Sequence, residues 1–242
     1  MIRTIYYTIL VYFLLGGIGF YFINRKKDPK IAQKSYTKFA MYFIIINILF
    51  FSIVINPLAF WYLSILIIAM GFFELFRLFQ NSGYKNTGFF IFSLVVYVTL
   101  STGFLLFGTL QKELILFSFI VLSIFDSFSQ ISGQLFGHRK LFPKTSPSKT
   151  LGGLMGGGLI ALGSSFLLNS LYSGHGFKSL LLTFGVVFFA CAGDFAASLY
   201  KRKFNVKDYS NLIPGHGGFL DRFDSLIAAG AWVAFNMYVL NF

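Results

Sequence analysis

The sequence predicts an all-α, polytopic integral membrane protein of about eight transmembrane helices, with both termini on the outer side. Three observations carry that prediction. Hydrophobic residues make up 56% of the 242-residue chain and charged residues only 12%, about half the charged share of an average soluble domain. Apolar runs long enough to cross hydrocarbon recur along the chain, and helices satisfy their own backbone polar groups in lipid. Alternating those runs puts 17 of the 20 Lys and Arg on one side, leaving only Arg3, Lys112 and Lys178 on the other. Basic residues collect on the cytoplasmic side, so the rich side faces inward.

Spans are expected near residues 4–23, 39–55, 58–76, 88–109, 114–135, 151–171, 179–199 and 219–240. The first is a span rather than a signal peptide, because no small-residue cleavage motif follows Ile23. A basic loop from Arg25 to Lys38, with Lys26, Lys27, Lys30 and Lys34, precedes the second. Asn56-Pro57 turns the chain into the third, since a residue before proline avoids helical geometry. Glu74 lies near the inner end of the third span, where Arg77 at i+3 is its expected ion-pair partner. Lys85 marks the loop before the fourth, and Lys112 opens the fifth, which carries Asp126. Glycines 152, 153, 156, 157 and 158 open the sixth; those deep in the span suit close helix packing. The seventh holds Cys191, read as a small core residue, and Asp194; the eighth opens on Asp221, Arg222 and Asp224.

Residues 1–110 read as an N-terminal transmembrane scaffold and 111–242 as the catalytic half of one membrane unit. A lone cysteine excludes a disulfide framework and a cysteine zinc site. The net charge of +12 is topological and suits anionic headgroups, so nucleic acid is not a partner. No internal repeat stands out, which argues against the paired halves of many transporters.

The chemistry concentrates between Gly193 and Ser225. Asp194, Asp208, Asp221 and Asp224 are half of the chain's eight acidic residues. Carboxylates at a membrane are costly without a partner, a metal or water. Asp221 and Asp224, at i and i+3, share a helical face. Magnesium is held by one or two carboxylates together with substrate phosphates and water. Pro214-Gly215-His216-Gly217-Gly218 is a tight turn whose N–H groups, with the helix behind them, suit an anion. Ser198 is on the face of Asp194 at i+4, and Lys201, Arg202, Lys207 and Arg222 supply cations. Lys203 reads as topogenic charge, and His138 and His175 as incidental. An earlier inner loop offers Asp126, then Ser146, Lys149 and Thr150 ahead of the glycines, but without P-loop spacing.

The series Ser198-x-x-Lys201-Arg202, Lys207-Asp208 and Pro214-Gly215-His216-Gly217-Gly218-x-x-Asp221-Arg222-x-Asp224-Ser225 resembles the hallmark segment of the CDP-diacylglycerol synthases, or phosphatidate cytidylyltransferases. Asp126, Gly137 and Ser146-Pro147-x-Lys149-Thr150 match that family's second characteristic stretch. The chain departs from it at Leu151-Gly152, where the family has Trp and an acidic residue, and at Ala196-Ala197.

The resemblance implies transfer of CMP from CTP to phosphatidic acid or a related lipid phosphate, at a cytoplasm-facing site of a bacterial inner membrane. It implies Mg²⁺, with a second monovalent or divalent cation open. Asp194 and Asp221 are then the expected primary metal ligands, with Asp224 and Asp208 in a second rank. Lys149, Lys201, Arg202, Lys207 and Arg222 would neutralise phosphates. His216 and the Gly215–Gly218 backbone would orient the nucleotide, while Asp126, Ser146, Thr150 and Ser198 complete the binding surface. A homodimer is open. The same chemistry would serve a CTP-dependent enzyme acting on another lipid phosphate or an isoprenoid-type alcohol. From a different class, a transporter or catalytically silent paralogue stays open, although every candidate carboxylate sits at an inner end rather than at midplane.

Overall fold

The computed structural model describes residues 2–25, 28–169, 171 and 176–240. Lys26, Lys27 and His175 lie outside the described residues. In chain order the elements are α1 (Ile2–Asn24), α2 (Pro29–Ile55), α3 (Pro57–Asn81), α4 (Thr87–Phe107), α5 (Lys112–Phe136), β1 (Lys140–Phe142), β2 (Ser146–Thr150), α6 (Leu151–Leu167), α7 (Gly176–Lys203) and α8 (Leu220–Tyr238). The chain is an all-α polytopic membrane protein. By length and composition, five helices among the described residues can cross a bilayer: Pro29–Ile55, Leu58–Asn81, Thr87–Phe107, Lys112–Phe136 and Gly176–Lys203. Ile2–Leu14 and Leu151–Leu167 are shorter apolar segments. The helix α8 carries Asp221, Arg222 and Asp224 in its opening turns.

Local chemistry explains several boundaries. Asp28 caps α2 by accepting from the Lys30 amide at 2.9 Å, with Pro29 at the first helical position. The helix therefore begins ten residues ahead of the span expected from hydropathy, and Lys30, Lys34 and Lys38 ride on it rather than in a loop. Asn56 is extended and caps α3 through the Leu58 amide at 2.9 Å, with Pro57 following. One residue thus ends α2 and starts α3, as the Asn-Pro pair suggested.

A short antiparallel hairpin, β1 against β2, interrupts the helices and pairs Lys140 with Thr150 and Phe142 with Ser146. Hydropathy gave no sign of it. Phe142 lies against Phe195 of α7 with ring centroids 4.1 Å apart, and Arg202 donates from Nε to the Thr145 carbonyl at 3.1 Å. These two contacts tie the hairpin to the C-terminal end of α7.

The core packs around Phe60, Phe104, Phe107 and Phe117, all fully buried. Small residues set the closest helix contacts. A Cβ on Gly153 would lie 2.7 Å from the Ser129 carbonyl, and one on Gly157 would lie 2.8 Å from that of Phe125. The glycines of α6 thus let it lie directly on α5. Gly193 does the same between α7 and α8, where a Cβ would stand 2.7 Å from the Asp224 carbonyl.

Candidate active site

The α7–α8 contact at Gly193 determines where the acidic residues go. Asp194 follows immediately on α7, and Asp224 is the residue whose backbone touches Gly193. The tethered hairpin delivers Lys149, which meets Asp194 at 2.8 Å. Asp126 of α5 and Asp224 also lie within electrostatic reach of Lys149. Burial opposes the charge on Lys149, but Asp194 first, then Asp126 and Asp224, outweigh it and hold the ammonium above its ordinary value. Three carboxylates from three helices therefore gather about one lysine from a strand. Asp126 is exposed, and Lys149, Asp194 and Asp224 are part-exposed.

Asp221 has a different environment. Its side chain is 2% exposed and pairs with Lys201 at 2.5 Å. The second oxygen accepts from the amides of Tyr209 and Gly218, both at 2.8 Å. Lys201 also lies over the Tyr209 ring, 5.2 Å from its centroid. Tyr209 donates from its hydroxyl to the Ala197 carbonyl at 3.1 Å; burial, then Asp224 and Asp221, hold its phenol well above the usual value. Asp221 thus locks the loop to α7, with both oxygens already engaged.

The glycine turn is likewise occupied from within. Glu74 of α3 is fully buried. It accepts from the Ser210 hydroxyl at 2.5 Å and from the Phe219 and Leu220 amides at 2.9 and 2.8 Å. No ion pair with Arg77 forms among the described residues, so the expected local partner is replaced by the first turn of α8. A side chain at Gly218 would strike the Glu74 carboxylate, with its Cδ at 2.7 Å. Gly215 and Gly217 adopt φ of +76° and +85°, the left-handed region where glycine is favoured. The amides expected to face a substrate anion at Gly218 and beyond therefore serve carboxylates of the chain.

The remaining candidates divide by environment. Thr150 caps α6 by accepting from the Gly153 amide at 3.1 Å. Arg202, besides holding the hairpin, donates to the Val206 carbonyl at 2.9 Å. Ser198 is buried, Ser146 is part-buried, and Lys207 and Asp208 are exposed; Asp208 lies against Gly217 rather than in the Lys149 cluster. His216 is part-buried, and burial followed by Arg222 pushes its imidazole below the ordinary value. Lys201 and Arg202 thus have protein partners, and Asp194 pairs with neither, but with Lys149.

Among the described residues, no three His, Cys, Asp or Glu side chains form a ready-made metal cage. A magnesium site completed by substrate phosphates needs only one or two carboxylates. Asp194 and Asp224 fit that requirement: Asp194 meets Lys149 through one oxygen, and among the described residues Asp224 accepts from Ser225 through one oxygen.

Carboxylates from α5, α7 and α8 and a lysine from β2 gather at one end of a helical membrane scaffold, the kind of centre that a membrane nucleotidyltransferase uses. The chain belongs to the cytidylyltransferase family, which matches residues 82–240. It is similar to the phosphatidate cytidylyltransferase of Rickettsia felis, 34% identical over 69% of this chain and 77% of that protein. The Rickettsia prowazekii protein of the same name is 30% identical over 74% and 82%. That of Haemophilus influenzae is 43% identical over 48% of this chain, but over only 42% of its own length.

Glu74 is the residue that sequence reasoning misplaced. It lies outside the matched segment, and its signal was weak: one carboxylate in an apolar half, with a plausible local cation.

Proposed function

We propose that the chain is a Mg²⁺-dependent phosphatidate cytidylyltransferase of a bacterial inner membrane, working at the cytoplasmic face. The observation that carries this reading is the convergence of Asp126, Asp194 and Asp224 on Lys149. Family membership and the names of the relatives support the substrates. In the reaction, a phosphate oxygen of phosphatidate bonds to the α-phosphorus of CTP as the bond to the β-phosphate oxygen breaks. CDP-diacylglycerol and pyrophosphate result. The lipid phosphate is already a nucleophile, so no separate general base is required.

When bound, Mg²⁺ supplies charge neutralisation between two polyanions. Asp194 and Asp224 would hold it. The sequence reading gave Asp221 that role; its engaged oxygens favour a positioning one, holding Lys201 and the loop. Lys149 is a cation fixed by the hairpin at the reacting phosphates. Catalysis of this kind is chiefly positioning and charge stabilisation, which suits side chains anchored on packed helices. Eight helices among the described residues, with the basic residues of the sequence collected on one side of the alternating spans, support the eight-span arrangement with both termini outside.

The test is a product assay on the purified full chain with CTP, phosphatidate and other lipid phosphates, read by mass spectrometry. The expected product is CDP-diacylglycerol, formed with Mg²⁺ and lost with EDTA. No CDP-lipid from any acceptor would refute the reading.

A further inference from the structure

A second group of polar side chains lies beside the Lys149 cluster, and part of it comes from the N-terminal half. Lys30, Lys34, Lys38 and Tyr42 recur at four-residue intervals along α2, so they form one stripe on the helix surface. The stripe ends against the glycine turn: a Cβ on Gly215 would lie 3.0 Å from the Lys38 Cγ. Lys38 and Arg222 both act electrostatically on His216, while Arg222 and Asp126 both act on Tyr42. Lys38, Tyr42 and Arg222 are exposed. Neither cation has a carboxylate within ion-pair distance among the described residues. The buried Nδ1 of His216 has no hydrogen-bond partner there either. Two cations without a carboxylate partner thus flank His216, a grouping that a phosphate would complete.

The position also says which phosphate. Asp126 lies within reach of both Arg222 and Lys149, so the two groups adjoin across it. A headgroup here would have its phosphate beside the Lys149 cluster.

We infer that Lys38, His216 and Arg222 form the subsite for the phosphate monoester of the acceptor lipid, with Lys34 and Lys30 as its approach. This rests on the cytidylyltransferase reading for its place in the reaction, but not for binding.

The experiment uses the full chain in nanodiscs. Binding is read as the Tm shift caused by phosphatidate, compared with phosphatidylglycerol, phosphatidylcholine and water-soluble glycerol 3-phosphate. In parallel, KM for each substrate is measured in wild type, K38A and K38R. K38A is expected to raise KM for phosphatidate about 10-fold, a loss near 1.4 kcal/mol, with KM for CTP changed less than about 2-fold. K38R should restore most of the affinity. The Tm shift should be largest for phosphatidate, smaller for phosphatidylglycerol, and reduced in K38A. An equal shift from glycerol 3-phosphate would overturn the lipid assignment in favour of free phosphate. A CTP-specific KM effect, or K38A binding phosphatidate as wild type does, would overturn the subsite. A wild type that binds phosphatidate through Lys38 yet forms no CDP-lipid would refute the proposed reaction and leave the subsite standing.

Discussion

Asp194 and Asp221 look alike in the sequence but differ in surroundings, and that difference separates two kinds of defect. The Asp194–Lys149 pair is part-exposed, and exposed pairs contribute little to stability. D194N should therefore abolish transfer while melting near wild type in detergent. Asp221 and Lys201 are buried together, and breaking a buried pair on one side typically costs about 3–5 kcal/mol. D221N should lower Tm clearly as well as activity, as paired melting and turnover assays would show. Equal melting of the two variants would contradict this division. His216 gives a pH prediction. Its folded value is lowered by burial and by Arg222, so the unfolded chain takes up its proton first as pH falls. The stability contributed by the neutral imidazole is present above the unfolded value and is lost as pH falls from there through the folded one. H216Q should flatten the fall in Tm over that window, and an unchanged pH profile would count against the assignment.

At the scale of elements, Glu74 joins α3 to the start of α8. Removing its carboxylate orphans the Phe219 and Leu220 amides, and each buried donor left unsatisfied costs about 1–3 kcal/mol. E74A should lower both Tm and activity, and E74Q, which keeps one acceptor oxygen, should fall between. Gly193 predicts the reverse balance. A Cβ there presses on the backbone of Asp224, so G193A should separate Asp194 from Asp224. Overpacking costs about 1–3 kcal/mol, yet activity should fall further than that stability loss suggests; kcat set against the melting curve tests it. These elements also show what the sequence made legible. Long apolar runs, the Asn56-Pro57 junction and the packing role of the deep glycines in α6 could be read directly, because each follows from local chemistry. The partners of Glu74, Asp194 and Asp221 could not. They are set by helices meeting across distances in sequence that periodicity does not encode. The hairpin was hidden because its few residues carry little hydrophobic pattern.

For the whole molecule, the sequence reading divides the chain at residue 110 into a scaffold and a catalytic half. Glu74 and Lys38 blur that division, because the first half caps the glycine turn and lines its edge. The proposed eight-span arrangement has a direct consequence for topology. Alkaline phosphatase fused after Tyr238 should be active outside the cell, and the same enzyme fused at Lys85 or Lys144 should be inactive. Activity at either inner-loop site would reverse the orientation.

The most direct test of the carboxylate–lysine centre is the Mg²⁺ titration of CDP-diacylglycerol formation by purified wild type and D194N. Wild type should release one pyrophosphate per CDP-diacylglycerol and do so only with Mg²⁺. D194N should fall by at least about 1,000-fold, near 4 kcal/mol of lost transition-state stabilisation, at an unchanged Tm. A D194N enzyme that turns over at the wild-type rate with the same Mg²⁺ dependence would contradict the account.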